Sequence, residues 1–503
     1  MCREETGTGP DDVRCSGSAC AQTPAGANTK PSRIAIGWVP LMAAWIAACA
    51  APLPAADSGD AAAAVPAQWH APLPHGGQLA DLSRWWSRFD DPQLSGMIEA
   101  AQRVSATVAE AGARIADARA ARTASMAALL PSLDADGNAV RGMQRAGASV
   151  GTTGSLGLHA LWEIDLFGGQ RAGAHAAQAR LEASEAGWHD ARVAVAAEVA
   201  AAYVGLRACE AQLAQAELDV RSRSETSRLT DLVANAGFRA PAEADLARAS
   251  AAQGRAALTR QRAQCDRAIK ALVALTASDE VVLRHELAGT TARLPLPVAL
   301  HVAAVPAVAL MQRPDVAVAA RAVIAASADA DQAQALRWPR ITLSGNIGAS
   351  RESAAGIHAN GTVWNMGPVS VTLPLFDGGV RRANADAARA HYDAARATYT
   401  ARLRAAVREM ESALVTLHSA TERNEHARIA VAGFERSYHA AHARYRSGLA
   451  SLLELEDARR SMVASRSALI AQHHEAVMAW IDLYRAIGGG WGASTTADAP
   501  PPQ

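Results

Sequence analysis

Residues 162–169 read Trp-Glu-Ile-Asp-Leu-Phe-Gly-Gly, and residues 373–379 read Leu-Pro-Leu-Phe-Asp-Gly-Gly. Each stretch closes a segment of alternating apolar and polar residues. A region without proline follows each of them, over residues 169–236 and 379–447. Alternation with a period of two is typical of a β-strand, and paired glycines permit a tight turn. Both stretches therefore predict the same junction, in which a strand turns sharply into a very long helix.

The two halves of the chain correspond at further points. Residues 131–137 (Pro-Ser-Leu-Asp-Ala-Asp-Gly) are answered by residues 339–345 (Pro-Arg-Ile-Thr-Leu-Ser-Gly), an offset of 339 − 131 = 208. Residues 235–237 (Asn-Ala-Gly) are answered by residues 446–448 (Arg-Ser-Gly), an offset of 446 − 235 = 211. Matches that stay in register along the chain indicate an internal repeat.

Each repeat is predicted to contain a helix, a strand hairpin, a very long helix, a tight turn and a returning helix. The first repeat covers residues 81–290, with its strand hairpin at about 131–166 and its helical hairpin at about 169–280. The second covers residues 291–491, with a helix at about 313–337, a strand hairpin at about 339–375 and a helical hairpin at about 379–487. A disordered tail is expected over residues 492–503.

The strands have the length and pattern of membrane strands. Leu156, Leu158, Ala160, Trp162 and Ile164 alternate with mostly polar neighbours. A tilted membrane strand needs about 9–11 residues with apolar side chains outward and polar ones inward. The alternative, a strand of a soluble β-sandwich, fits poorly because only four strands are predicted among helices.

The helices are too long for a compact globule. At 1.5 Å per residue, each proline-free stretch would reach on the order of 100 Å. Within the second, Leu403, Val407, Met410, Leu414 and Leu417 step by four and three residues, which is the spacing of a coiled-coil seam. Antiparallel pairs of such helices could form the wall of a tube. The prediction is a mixed α+β fold, mostly α, with long antiparallel coiled-coil helices and four membrane β-strands per chain.

Composition excludes some functions. Lys+Arg 49 balance Asp+Glu 49 in 503 residues, whereas a nucleic-acid-binding protein would carry a basic surface and a high pI. No run of about 20 apolar residues occurs after residue 50, so a later transmembrane helix is not expected. A sheet that spans a membrane must close, and four strands cannot close. Several copies of the chain must therefore share one barrel, and this reasoning allows two, three or four.

The first residues have the features of a bacterial lipoprotein signal. Lys30 and Arg33 precede the apolar residues 34–48, and the segment ends in Ile-Ala-Ala followed by Cys49. This lipobox predicts that residues 1–48 are an N-terminal extension and signal peptide, and that Cys49 carries acyl chains such as palmitate. Ala50 lacks the acidic residue that retains lipoproteins in the inner membrane. Residues 49–80 are rich in Ala and Pro and predict a tether. The alternative is an ordinary signal peptide with a chance cysteine.

Taken in order, these motifs resemble the outer-membrane efflux protein family, the TolC-like channels, in its NodT-type lipoprotein branch. The resemblance covers residues 82–491. Its further motifs are Phe-Asp-Asp-Pro-Gln-Leu at 89–94, Arg-Pro-Asp-Val at 313–316, Tyr-Arg-Ser-Gly at 445–448 and Leu-Tyr-Arg-Ala-Ile-Gly-Gly-Gly-Trp at 483–491. It implies a homotrimer with a twelve-stranded barrel in outer-membrane lipid and a periplasmic helical tunnel. It also implies a periplasmic adaptor (membrane fusion) protein and an inner-membrane RND-type pump as partners in multidrug efflux.

The resemblance also suggests a periplasmic aperture. In the family, acids at the positions of Glu454 and Asp457 ring the closed tip, and Glu243 holds the equivalent place in the first repeat. Three copies around an axis would form a negative constriction that favours cations. The alternative is a solvated helix N-terminus, where acids complement the helix dipole. The arginine that often closes the family's gate is replaced by Ala450, which leaves the gating mechanism open.

No catalytic motif, metal site or cofactor site is predicted. The sequence contains no His-Glu-x-x-His, P-loop or Gly-x-Ser-x-Gly motif, and the adjacent His473 and His474 are expected on an exposed polar face. Cys209 and Cys265 lie equally far from Gly237 (237 − 209 = 28 and 265 − 237 = 28), so an antiparallel helical hairpin places them at one height. An intrachain disulfide is predicted there; two buried thiols are the alternative.

The expected function is the passive exit duct of a tripartite efflux pump, with no enzymatic activity. Two alternatives stay open at this stage. One is the exit duct of a type I protein-secretion system. The other is a purely structural periplasmic coiled-coil lipoprotein, which the two strand hairpins disfavour.

Overall fold

The computed structural model describes residues 85–143, 149–295, 310 and 313–489. The first repeat contains α1 (Pro92–Val104), α2 (Ala106–Ala127), β1 (Ser132–Gly142), β2 (Gly151–Ile164), α3 (Gly169–Asn235) and α4 (Pro241–Thr276). A short helix, α5 (Glu280–Leu287), follows. The second repeat contains α6 (Pro314–Ala335), β3 (Arg340–Ala354), β4 (Ile357–Thr372), α7 (Val380–Arg446) and α8 (Leu452–Ile487).

The predicted fold class is confirmed, because two long helical hairpins accompany four antiparallel strands. Corresponding helices of the two repeats have equal lengths: α2 and α6 have 22 residues each, α3 and α7 have 67, and α4 and α8 have 36. None of the helices in the described part of the chain combines the length and apolarity needed to cross a membrane.

The four strands form one antiparallel sheet in the order β1-β2-β3-β4. Its register sets apolar side chains level with one another, since Leu158 lies opposite Ile347 and Ile347 lies opposite Trp364. The next residues along the strands, including His159 and Asn346, form a polar row on the other face. The apolar row is exposed, and none of the residues that the structure describes covers this face of the sheet.

An acid and a glycine form each junction between a strand and a long helix. Gly168 and Gly379 cap α3 and α7 with left-handed φ values of 76° and 89°, which favour glycine. The Asp165 carboxylate accepts hydrogen bonds from the first backbone amides of α3, and Asp377 accepts from those at the start of α7. These acids satisfy amides that a helix leaves unpaired at its N-terminus.

The helices pack through alanine and a leucine-rich seam. Ala196 and Ala200 of α3 are fully buried, and such small side chains let helix axes approach closely. On α7, Leu403, Met410 and Leu414 are buried and belong to the same core. The coiled-coil spacing predicted for this helix is therefore the spacing of its buried face.

A buried arginine fixes the N-terminal segment to α3. The Arg207 guanidinium donates to Glu210 at 2.9 Å, to the Gln93 side chain at 2.9 Å and to the Leu287 carbonyl at 3.2 Å. The Tyr203 hydroxyl donates to Asp91, the N-cap of α1, at 2.6 Å. Because a buried charge needs several partners, this network determines where α1 and α5 pack on α3.

Candidate functional site at the turns of the helical hairpins

Two tight turns, one in each repeat, hold the predicted aperture residues. Gly237 follows α3 with φ of 80°, and Gly448 follows α7 with φ of 75°. Glycine adopts this left-handed conformation without strain. Each long helix therefore ends at its glycine, and the chain turns back there. Pro241 then begins α4, and Ser451 caps α8 by accepting a hydrogen bond from the Glu454 amide at 3.1 Å.

Glu454 lies in the first turn of α8 and is paired with an arginine. Arg444, in the last turn of α7, forms an ion pair with the Glu454 carboxylate and donates to the Leu449 carbonyl at 3.1 Å. The Glu454 side chain is 42% exposed, so water and salt still reach it. Ala450, between the two helices, carries no charge, and Arg444 is the positively charged partner of Glu454 at this turn.

The other two predicted acids also have arginine partners in their own hairpins. Arg239 donates to Glu243 at 2.6 Å, and its guanidinium lies 4.6 Å from the centre of the Tyr445 ring. Asp457 and Arg460 form an exposed pair at 3.2 Å. The structure thus places all three acids near the turns, and each carries a neutralising partner. Among the described residues, no direct contact joins one of these acids to another.

Glu456 differs from its neighbours, because it points into the protein. Its carboxylate pairs with the fully buried Arg459 and accepts from Ser250 at 2.7 Å. Arg459 also donates to Thr226 of α3 at 2.8 Å, and Arg223 lies 3.7 Å from Glu456. This network joins α3, α4 and α8 behind the turns. Glu456 is not among the aperture acids expected from the sequence; the separation of three residues between Glu456 and Arg459 was the available signal for an intrahelical pair.

Two tyrosines complete the contact between the hairpins. The Tyr445 hydroxyl hydrogen-bonds Thr230 at 3.1 Å, and the Tyr438 hydroxyl hydrogen-bonds Ser222 at 3.1 Å. Both rings pack against a small apolar cluster that contains Leu452 and Leu455. The two hairpins are therefore held together by side-chain contacts close to their turns.

The adjacent histidines are not on an exposed face, which corrects the expectation from the sequence. His473 and His474 are both half-buried in α8, and burial lowers the pKa of each imidazole below its usual value. In the residues that the structure describes, no cluster of three or more His, Cys, Asp or Glu side chains could hold a metal ion.

Cys209 of α3 and Cys265 of α4 lie face to face. Their Cα atoms are 5.5 Å apart, their sulfur atoms are within bonding distance, and their sequence separation is 56 (265 − 209). A groove of about 520 Å³ lies beside them, lined by small and polar residues that include Gly205, Gln261 and His474.

Arg313 is the centre of a second charged cluster, far from the turns in sequence. Its buried guanidinium pairs with Asp315 at 2.8 Å and Glu409 of α7 at 2.7 Å, and donates to the Ala486 carbonyl of α8 at 3.0 Å. Burial opposes ionisation of Asp315, but the hydrogen bond and charge of Arg313 outweigh it and lower the Asp315 pKa. Across a groove of about 580 Å³, partial desolvation and the nearby Asp315 raise the pKa of Asp190.

Several expectations concern residues outside the described ranges. Cys49, the signal segment 1–48, the tether 49–80 and the tail 492–503 all fall there.

Comparison with known proteins gives consistent matches along both repeats. Residues 97–278 and 305–489 match the family described as Outer membrane efflux protein. Outer membrane protein OprJ of Pseudomonas aeruginosa is 30% identical over 424 residues, which cover 82% of this chain and 88% of that protein. Nodulation protein T of Rhizobium leguminosarum bv. trifolii is 28% identical over 418 residues, which cover 81% of this chain and 88% of that protein. The solved structure of the outer-membrane channel OprN is similar with a TM-score of 0.75 and 26% identity, covering 85% of this chain and 97% of that one.

Proposed function

Because the chain belongs to the outer membrane efflux protein family, we propose that it is the passive exit duct of a tripartite efflux pump for small amphiphilic compounds or drugs. It is an outer-membrane channel component with a long periplasmic part. One observation carries the proposal: both matched segments contain a strand hairpin that continues into a 67-residue helix. A membrane strand and a long periplasmic helix in one continuous element are what a duct through both compartments requires.

The alternatives considered from the sequence are disfavoured. The chain matches the outer membrane efflux protein family along both repeats, which favours an efflux duct over a protein-secretion duct. A purely structural coiled-coil lipoprotein has no use for a sheet whose apolar face is uncovered. The family consists of channel proteins, and we propose that the chain catalyses no reaction and needs no cofactor.

The chain acts as a homotrimer with a periplasmic adaptor protein and an inner-membrane RND-type pump. The four strands of each subunit would close into one barrel of twelve. This closure satisfies the backbone groups at the free edges of β1 and β4, which lipid could not hydrogen-bond. Energy for transport would come from the pump, because a passive duct only completes the path.

Conductance in planar lipid bilayers tests the channel. The purified protein is expected to produce discrete conductance steps. Gly348→Val should abolish them, because a Cβ atom at residue 348 would lie 2.7 Å from the Leu156 carbonyl oxygen of the adjacent strand. Gly361→Val is the matched control, since nothing lies within 4 Å of a Cβ atom there. Steps that persist in Gly348→Val at the level of the control, or an inactive parent protein, would contradict the proposal.

We further propose that Glu454, Asp457 and Glu243 line the periplasmic aperture. Three copies of each acid around one axis would make the opening attractive to cations. The arginine partners weaken this field, since paired opposite charges largely cancel at a distance. Removal of Arg444 should therefore strengthen cation preference, and removal of the acids should weaken it.

Single-channel recordings of two opposite variants test the aperture. The double variant Glu454→Ala/Asp457→Ala should lower the cation selectivity of the channel and weaken its blockage by multivalent cations. Arg444→Ala should raise the selectivity and strengthen the blockage. Asp386→Ala is a suitable control, because this exposed acid of α7 has an arginine partner but lies near the strand end of the helix. Equal selectivity in all variants would favour a solvated helix N-terminus instead.

A further inference from the structure

The charged residues of the four strands are divided between the two faces of the sheet. Residues directly opposite one another in adjacent strands lie on the same face. The register therefore assigns each side chain either to the apolar face, which contains Leu158 and Ile347, or to the polar face, which contains His159 and Asn346. The polar face holds all four acids of these strands: Asp134, Asp136, Glu163 and Glu352. It also holds Arg340, which forms an ion pair with Glu163.

The apolar face carries only basic residues among those that can be charged. Arg141 lies opposite Thr152, Thr152 lies opposite Ser353, and Ser353 lies opposite His358. Arg351 precedes Ser353 by two residues and is therefore on the same face. The side chains of Arg141, Arg351 and His358 are all exposed. We call these three residues the basic rim.

The basic rim lies at one boundary of the apolar band. On β3, the apolar face extends from Ile341 to Ala349, and Arg351 is the next residue on that face. The 349 − 341 = 8 steps of about 3.4 Å, on a strand tilted by about 40°, give a height of roughly 20 Å. Membrane strands present an apolar band of about 25 Å to lipid. Arg351 is therefore level with the edge of the hydrocarbon, and Arg141 and His358 lie just beyond that edge.

This boundary is on the side of the sheet away from the long helices. β2 leads into α3 and β4 leads into α7 at one end of the sheet. At the opposite end, Gly142 pairs with Gly151 and Ala354 pairs with Ile357. Because the long helices form the periplasmic part of the proposed duct, the basic rim faces the outer leaflet. The inference rests on the proposed function for this orientation.

The two arginines of the basic rim have no acidic partner among the described residues. The Arg141 guanidinium donates to the Thr152 hydroxyl at 3.4 Å, a neutral group that leaves the charge uncompensated. A guanidinium stays charged at physiological pH, and its planar set of donors fits the oxygens of a phosphate group. Unpaired arginines at the edge of the hydrocarbon are therefore suited to an anionic lipid headgroup.

We propose that Arg141 and Arg351 bind the phosphate groups of a phosphorylated glycolipid in the outer leaflet. The strand spacing and the rise per residue separate the Cα atoms of the two arginines by about 12 Å. Two phosphates of one headgroup match this separation better than a single ion does. Thr152 and Ser353 lie on the two strands between Arg141 and His358, where their hydroxyls can hydrogen-bond sugar hydroxyls. The acyl chains would lie along the apolar face below.

Lipid binding by the purified trimer in detergent tests the basic rim. In native mass spectrometry, lipid A with two phosphates should bind about tenfold more tightly than lipid A from which both phosphates have been removed, because charge-assisted contacts are lost. Millimolar inorganic phosphate should not displace the lipid, since the acyl chains also contribute to binding. Equal binding of the two lipids, or full displacement by inorganic phosphate, would overturn the proposal. This comparison uses only the parent protein, so it does not depend on the folding of a variant.

Substitutions then assign the binding to the two arginines. Arg141→Gln/Arg351→Gln should weaken binding of lipid A with two phosphates by about tenfold, to the level of the dephosphorylated lipid. Arg141→Lys/Arg351→Lys should restore part of the affinity, because a positive charge remains. Glu352→Gln is the matched control, since residue 352 is adjacent to Arg351 but lies on the polar face, and it should bind as the parent does. A double Gln variant that binds like the parent, or an equal loss in Glu352→Gln, would overturn the proposal.

Conductance of the parent protein separates this inference from the proposed function. A trimer that conducts but does not discriminate between the two lipids would overturn the lipid-binding role of the basic rim and leave the channel intact. A protein that neither forms a trimer nor conducts would overturn the proposed function itself.

Discussion

At the scale of single residues, arginines organise this protein. Arg207, Arg313 and Arg459 are each buried and each joins at least two helices through several acceptors. A buried guanidinium with its partners intact is tolerated, but loss of one partner leaves an uncompensated charge. We therefore expect substitutions at these positions to be far more costly than at the many exposed arginine pairs.

The cluster around Arg313 predicts a pH-dependent stability. The Asp315 pKa is lowered in the folded protein, so its carboxylate stabilises the fold above the pKa of the unfolded chain, and this stabilisation is lost as pH falls through the folded pKa. Asp315→Asn should destabilise the protein by about 1–3 kcal/mol at pH 7. The difference from the parent protein should shrink below about pH 4, as thermal unfolding in detergent would measure.

Asp190→Asn is the control for this prediction. Partial desolvation and the nearby Asp315 raise the pKa of the Asp190 carboxyl group in the folded protein. At pH values above the pKa of this group in the unfolded chain, ionisation of Asp190 therefore destabilises the fold. Removal of that charge should leave the stability at pH 7 unchanged or slightly higher. Equal losses in the two variants would contradict the opposite electrostatic roles that we assign to these acids.

The sequence predicted that the acids lie near the turns, but it could not show which of them are exposed and which is buried. Neighbours on a helix point about 100° apart, and only packing of α8 on α3 decides which of them turns inward. For that reason Glu456 is buried while Glu454 and Asp457 stay near the surface. The half-buried His473 and His474 were misplaced for the same reason, since the other helices that cover α8 are distant in sequence.

At the scale of elements, patterns along the chain were sufficient. Absence of proline marked both long helices, glycines marked their ends, and alternation marked β2 and β4. Such signals depend only on residues close in the sequence, so they can be recognised without knowledge of the tertiary structure. The pairing of β2 with β3 is different, because it joins the two repeats and depends on contacts that local patterns do not record.

The hairpin of α3 and α4 carries a prediction of its own. A Cys209–Cys265 disulfide would close a loop with a sequence separation of 56, which a chain-entropy estimate values at about 4 kcal/mol. Alkylation of the denatured, non-reduced protein should leave both cysteines unmodified because the disulfide leaves no free thiol, as peptide mass spectrometry would detect. The double variant Cys209→Ala/Cys265→Ala should unfold at lower temperature. Full alkylation of both residues without reductant would argue for two buried thiols.

At the scale of the whole molecule, closure of the sheet follows from the inability of lipid to hydrogen-bond the backbone at a free strand edge. Four strands with two free edges cannot remain in lipid, so the strand number alone requires an oligomer. The number of subunits was not determined by this reasoning, because two, three or four copies would all supply enough strands. Membership of the family supplies the number three.

Attachment to the membrane is a separate prediction, because residue 49 lies outside the described ranges. Acyl chains on Cys49 would add an anchor of roughly 0.8 kcal/mol per buried CH₂. Metabolic labelling with palmitate should mark the protein, and Cys49→Ser should remove the label, whereas Cys209→Ser should not. A palmitate label that persists in Cys49→Ser would contradict the prediction that the protein is a lipoprotein acylated at Cys49.

The equal lengths of corresponding helices restrict how this protein can evolve. An insertion of one heptad in α3 alone would shift its turn by about 10 Å relative to the turn after α7. The tyrosines and arginines that join the two hairpins would then miss their partners. A longer variant of the duct would need matched insertions in α3, α4, α7 and α8. Natural relatives that reach across wider or narrower periplasms should therefore gain or lose residues in both repeats together, at equal distance from the two turns.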